Sequence, residues 1–363
     1  MQPFSCDVCD QIVFFDNSTC LRCRSPLGYV TADRRLVALT TAPEHGRNGT
    51  SVERVDAPGD VYRQCVNRVV ARCNWLVAPD DPAVLCSSCR LTTVRPHDDE
   101  VDAIAAFADA EAAKRRLLHQ LALIGLPIVG QLDDEERGVA FEFLSSRDRQ
   151  VMTGHDGGVI TLDLSESDDA HREFVRQQLG EPYRTVLGHL RHEIGHYYWP
   201  RLVVDSGRTN DFRALFGDER ISYQDALDEH YHSRHDDRDV ASRRRWVDTH
   251  VSEYATMHPW EDWAETFAHY LHIRAGLHTA TAYGIKIGEP AVSAARETYS
   301  PDEGVAIGTI VQAWLGLTLG LNAMSRSIGD GDMYPFVLSS DVIAKLDFVH
   351  RCVTTTARSA TRR

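Results

Sequence analysis

His192-Glu193-Ile194-Gly195-His196 places two imidazoles four residues apart with a carboxylate directly after the first. On an α-helix, positions i and i+4 lie on one face, so both rings can reach a single ion. Glu193 projects to the side, where it meets a water on the metal rather than the metal. Zinc lowers the pKa of such a water to about 7, and a neighbouring carboxylate can then take its proton. An ordinary amphipathic helix can carry the same five residues by chance, so the reading needs a third ligand. Catalytic zinc usually takes three protein ligands and keeps a fourth position for water. Tyr197-Tyr198-Trp199-Pro200 follows His196 without another histidine, so that ligand must come from farther along. His258-Pro259-Trp260-Glu261-Asp262-Trp263-Ala264-Glu265 is the best source. Pro259 suits a first helical turn, which sets Glu261 and Glu265 one turn apart on one face. Carboxylates on a stripe of Trp260, Trp263, Phe267 and Leu271 are costly to bury unless a metal or a histidine meets them. An exposed acidic face is the alternative, and the spacing allows either glutamate to face the metal.

A second chemistry lies in the cysteines, eight of which precede residue 90. Cys6-x-x-Cys9 and Cys20-x-x-Cys23 are separated by ten residues, with a short strand expected over Gln11–Phe15. Four thiolates at this spacing close a tetrahedron around zinc. Two disulfides would use the same residues, but no secretory leader precedes Cys6, and a reducing compartment keeps thiols free. Cys65, Cys73, Cys86 and Cys89 form a looser group in which only the last two make a tight pair. A second zinc site is expected there, with His97 as a stand-in if Cys65 or Cys73 is instead a small buried hydrophobe. A segment this short and this poor in large apolar residues needs some such staple. Cys352, in an apolar context, belongs to a core.

Elements that position these groups can be read from the remaining pattern. The 363 residues suffice for two or more units. A 43% hydrophobic and 25% charged composition is that of a soluble globular protein. Net charge is −14, which argues against a broad nucleic-acid surface, although residues 1–95 hold 11 arginines against 10 acids. Ala42–Thr50 reads as a loop. From Val101 to about Leu126, alanine and leucine recur at helical spacing until Gly125 and Pro127, giving a connecting helix. Val139–Leu144 and Val159–Leu164 read as strands, the second preceded by a Gly157-Gly158 turn and expected either as a plain sheet strand or as one bordering a cleft where substrate adds as a strand. A helical pattern covers Ala170–Leu179, and Pro182 and Pro200 bracket the metal helix. Val305–Leu321, interrupted by Gln312, Trp314 and glycines, fits a buried helix better than a membrane span. Asp205–His250 is dense in charge and reads as a solvated helix pair or a lid, with a weaker second metal site at His230, His232 and His235. His189, one turn before His192, lines the cleft or serves as a structural histidine.

Gly180–Thr185 leading into His192–Trp199, then His258–Glu265, resembles the bacterial zinc-binding metallopeptidases that carry an N-terminal zinc ribbon. The likeness runs from Cys6 to about Val353. It implies the gluzincin arrangement, in which the ligand glutamate begins an E-x-x-x-(D/E) pattern and the second acid braces a ligand histidine. Carried over, Glu261 is the ligand and Glu265 the brace. Lethal-factor-like gluzincins also place a tyrosine seven residues before the ligand, here Tyr254, although Pro259 intervenes. The expected class is therefore α+β: a zinc-binding head over 1–95 with two four-cysteine sites, a connecting helix over 96–130, and a mostly helical zincin-like domain with a small sheet over 131–363. One catalytic and two structural Zn2+ are expected, with a peptide or protein as substrate. Glu193 activates water and Tyr254 or a nearby histidine stabilises the oxyanion. The head is expected to offer a surface to a protein partner, with no membrane and no nucleic acid, in the cytoplasm. The rival class is a zinc-containing protein- or nucleic-acid-binding module without turnover, and a further option is a peptidase acting on nucleic-acid-bound proteins.

Overall fold

The two knuckles of the first cysteine group are built from one turn used twice. In the computed structural model, Asp10 and Arg24, each just after a cysteine, adopt left-handed φ of 58° and 64°. Their amides donate to Cys6 O and Cys20 O at 2.9 Å. This closes each knuckle and turns both its thiols to one side. The described residues are 1–41, 51–146, 151, 153–167, 185–233, 244–287 and 305–361. The expected loop at 42–50, the helical pattern at 170–179 and Pro182 lie outside them. Two compact units emerge: one from Met1–His119 with described residues of Ile128–Leu179 and Thr185–Leu187, the other from Gln120–Pro127 and described residues of Gly188–Arg363.

Within the first unit, β1 (Phe4–Ser5) and β2 (Ile12–Val13) pair antiparallel between the first two knuckles. A five-stranded antiparallel meander follows: β3 (Leu27–Val30), β4 (Arg35–Thr41), β5 (Ser51–Arg54), β6 (Val61–Gln64) and β7 (Leu76–Val77). No pattern in the sequence announces these strands. Leu36-Val37-Ala38-Leu39 is buried on both faces, so it lacks the alternation that marks a half-exposed strand. Val30, Val37, Leu39, Val52 and Leu76 form a core against Tyr62. Phe15, Tyr29 and Trp75 form a second cluster, with Tyr29 5.0 Å from each of the other two rings. The head therefore has apolar support of its own beside its thiolates.

β8 (Thr92–Val94) leads through α1 (Val101–Leu123) to β9 (Ala140–Leu144), which pairs parallel with β8. β10 (Gly154–Asp156) and β11 (Val159–Asp163) complete a sheet of order β10-β11-β9-β8. Gly157 and Gly158, with φ of 53° and 87°, make the two-residue turn expected there. β11 has β9 on one side and β10 on the other, so it offers no free edge to a substrate strand. The cleft-bordering expectation for this strand is thus corrected: its pleat is consumed by the hairpin. α1 buries Phe107, Leu117, Leu118 and Leu121, and with them Glu111, Lys114 and Arg115.

The second unit is helical. α2 (Val186–Trp199) carries the His192 motif. Pro200 ends its α geometry, and the path continues as a π turn over Pro200–Val204. Then come α3 (Thr209–Phe216), α4 (Tyr223–Ser233), α5 (Pro259–Ala282), α6 (Ile307–Ser327) and α7 (Ser340–Thr361). α5 is central, packing against α6 and α7. Trp263, early in its second turn, lies about 6 Å from Phe212 and Phe348. α6 is long and apolar enough, by length and composition, to cross a membrane. In this structure Ile310, Val311, Trp314 and Leu317 are buried. Cys352 is buried in α7.

Gly195 brings α2 and α5 together. A Cβ there would lie 3.1 Å from the Cα of Ala264 and 3.3 Å from the Cβ of Phe267. The indole of Trp263 donates to Gly195 O at 2.9 Å. Gly195→Val should force these helices apart, costing about 1–3 kcal/mol in urea unfolding, as overpacking does. Because Gly195 lies between His192 and His196, the same variant should bind zinc more weakly. Parental stability and zinc retention in this variant would show that the contact does not set the spacing.

Candidate metal centre

α2 presents His192 and His196 on one face, and α5 supplies two glutamates from its first turns. His258 caps α5: its side chain accepts from Trp260 N at 3.0 Å, with Pro259 at the first helical position. Glu261 thus sits where the helix end favours a negative charge. His192 Nε2 lies 2.9 Å from Glu261 Oε2. His196 Nε2 lies 3.2 Å from His192 Nε2 and 3.5 Å from Glu261 Oε1. Ligand atoms around a tetrahedral ion at about 2.0–2.1 Å stand roughly 3.3 Å apart, which follows from zinc–nitrogen and zinc–oxygen bond lengths. The three separations bracket that value. Two imidazole nitrogens this close need a shared proton or a cation between them, and two histidines with a carboxylate are a donor set suited to zinc.

Glu265 takes the other side of His192. Its Oε1 lies 2.7 Å from His192 Nδ1, and its Oε2 accepts from Ser252 Oγ at 2.6 Å. Nδ1 is thereby engaged and Nε2 is turned towards Glu261 and His196. Burial disfavours a charged His192, yet the bonds from Glu261 and Glu265 prevail and hold its pKa well above the ordinary value. Burial also works against both carboxylates. The histidines nevertheless keep Glu261 well below the usual carboxylate range, and His192 brings Glu265 down to about 2. Glu193 differs, because burial raises its pKa against the pull of His192 and His196.

Tyr254 is brought to the site despite the intervening proline, its ring 5.9 Å from that of His192. Its hydroxyl bonds to that of Tyr223, and Tyr223 donates to Glu261 Oε1 at 3.1 Å. Burial raises both phenols, so both stay protonated. Tyr223 and Ser252 escape a reading of the sequence: they lie 38 and 13 residues from their partners, outside any motif. Trp260 is 40% exposed with its ring 6.4 Å from His196. His189 is half-buried, while the side chains of His230 and His232, and all of His235, lie outside the described residues.

Both cysteine groups are assembled. Cys6, Cys9, Cys20 and Cys23 form one cluster and Cys65, Cys73, Cys86 and Cys89 the other. Neighbouring sulfurs stand 3.5–3.7 Å apart. The stand-in His97 is corrected: Cys65 and Cys73 both join the cluster, and His97 is exposed and paired with Asp99. The tightening comes from the turn at Arg72, whose φ of 46° precedes Cys73.

Residues 103–352 match the family described as "putative zinc-binding metallo-peptidase", and residues 3–100 match a zinc-ribbon domain. The chain belongs to this zinc-binding metallopeptidase family. Uncharacterised proteins of Mycobacterium tuberculosis and Mycobacterium bovis are similar, each 45% identical over 354 residues, covering 97% of this chain and 95% of theirs. No solved structure matches it. Zinc binding agrees both with the family and with the two four-cysteine clusters.

The contacts separate the two glutamates by role. Glu261→Ala should empty the histidine centre at ordinary zinc levels, whereas Glu265→Ala should weaken it about 10–100-fold. Titration against a chelator checks the order, and the reverse order would make Glu265 the ligand. Metal analysis of the parent should find one zinc for each of the three groups. A single zinc, or none lost from a His192→Ala/His196→Ala variant, would contradict it.

Proposed function

We propose that the protein is a gluzincin-type zinc peptidase that hydrolyses peptide bonds. The observation that carries this reading is the convergence of His192 Nε2, His196 Nε2 and Glu261 with Glu265 behind His192. A site meant only to hold zinc has no use for the further carboxylate of Glu193, which lies beside the histidines without joining the ligand cluster. Zinc held there supplies Lewis-acid polarisation of a carbonyl and acidifies water. Glu193 takes the proton of the attacking water and returns it to the leaving amine. Its raised pKa suits both transfers, since a base nearer neutrality is also a competent acid. Glu265 keeps His192 in the tautomer that points Nε2 at the centre. Tyr254, held protonated by burial, can turn its hydroxyl from Tyr223 to the developing oxyanion.

In this reading the two four-cysteine clusters hold structural zinc, and the head offers its surface to a protein partner in the cytoplasm. The acidic chain favours peptide substrates over nucleic-acid-bound ones.

Glu193→Gln should keep all zinc and the fold yet abolish hydrolysis, because the base is lost while the ligands remain. Cleavage profiling of a proteome-derived peptide mixture, parent against variant, reads this directly. Equal cleavage by both proteins would favour the binding-module reading instead.

A further inference from the structure

The charged segment that follows the histidine helix reaches the candidate metal centre at Tyr223. Tyr223, the first residue of α4, donates its hydroxyl to Glu261 Oε1 at 3.1 Å. Its ring lies 5.3 Å from that of His258, the residue that caps α5. His258 Nδ1 accepts from Trp260 N, so its proton is on Nε2, which donates to Ile221 O at 3.3 Å. Three contacts therefore tie Ile221–Tyr223 to the first turn of α5: one to the backbone, one ring to ring, and one to the glutamate.

We infer that Tyr223 is a positioning residue of the metal centre, acting through Glu261. This rests on the peptidase reading for its catalytic consequence, but not for its metal-binding one. A glutamate in the first turn of a helix has several rotamers, and few of them bring both carboxylate oxygens towards two histidines. The Tyr223 hydroxyl engages Oε1 on the side away from His192, while Oε2 stays 2.9 Å from His192 Nε2. A hydrogen bond from a neutral phenol leaves the carboxylate its charge while fixing its direction. Outer partners of this kind, placed on metal ligands, typically set metal affinity or activity by 10–100-fold. Tyr223 also receives the hydroxyl of Tyr254. The order Tyr254 to Tyr223 to Glu261 thus runs from the proposed oxyanion donor to the metal ligand, and Tyr223 joins them. Being 39% exposed, Tyr223 is reached from solvent without unfolding the core.

Tyr223→Phe keeps the ring on His258 and removes only the hydroxyl. Full-length, zinc-loaded parent and variant are compared by competition with a zinc chelator. The zinc of this centre is identified as the fraction missing from His192→Ala/His196→Ala. Tyr223→Phe should bind that zinc about 10–100-fold more weakly and leave the cysteine-held zinc untouched. Tyr254→Phe should weaken zinc binding less than Tyr223→Phe, since the Tyr254 hydroxyl lies one hydrogen bond farther from Glu261. In hydrolysis, Tyr223→Phe should lower kcat with KM unchanged. In a Glu261→Ala background, titrated at high zinc, Tyr223→Phe should cost nothing further. Parental zinc affinity in Tyr223→Phe, or an equal loss in the Glu261→Ala background, would overturn the inference. Should the parent cleave no peptide, the peptidase reading fails by itself, and zinc competition still decides the role of Tyr223.

Discussion

Everything in the second unit is subordinate to one imidazole with a carboxylate on each nitrogen. His192 is buried between Glu261 at Nε2 and Glu265 at Nδ1, and neither glutamate would be stable in that place without it. The constraint is geometric as well as electrostatic. Both glutamates come from α5, one turn apart, so α5 must cross α2 closely at the histidines. Gly195 permits that approach, because any side chain there would meet Ala264 and Phe267. The two histidines and the two glutamates are therefore held together by a helix–helix contact that depends on a missing Cβ.

The adjacent acid shows how α5 distributes its charges. Asp262 follows Glu261 but points about a quarter-turn away, where Lys345 of α7 meets it at 2.6 Å. Burial pushes the Asp262 carboxyl up to about 7 in spite of that ammonium. Lys345 also donates to Thr249 O at 2.7 Å, which anchors the backbone leading to Ser252 and Tyr254. One buried pair thus supports the residue that braces Glu265 and the tyrosine beside His192. Removing either partner of such a pair costs about 3–5 kcal/mol, chiefly because the other is left buried and uncompensated.

A comparable arrangement serves the first unit by itself. Glu111, Lys114 and Arg115 of α1 are all essentially inaccessible. Lys114 reaches Glu111 Oε1, Arg115 donates to Ala71 O, and Glu111 Oε2 lies 3.9 Å from Cys89 Sγ. Lys114 and Arg115 outweigh Glu111 by one positive charge, which offsets part of the excess negative charge that four thiolates carry around a divalent ion. That explains why a helix so rich in alanine spends three charged side chains on its inner face.

Local spacing was enough to indicate which groups come together. The i, i+4 histidines, the knuckle pairs and Pro259 ahead of Glu261 each follow from short-range geometry that a helix or a tight turn imposes wherever it occurs. The α1 helix and the Gly157-Gly158 turn were legible for the same reason. The meander over Leu27–Val77 was not: β3 and β4 are largely buried on both faces and lose the alternation that identifies a strand, while β5 to β7 are only two to four residues long. Which glutamate faces Nε2 and which faces Nδ1 could not follow from periodicity, since both occupy one helical face. The crossing of α2 and α5 at Gly195 decides it. Likewise Tyr223 and Ser252 reach the centre, and Lys345 reaches Asp262 beside it, from 38, 13 and 83 residues away from their partners. No period in a chain encodes such separations; only the packing of helices against one another brings those hydroxyls and that ammonium to the carboxylates they hold.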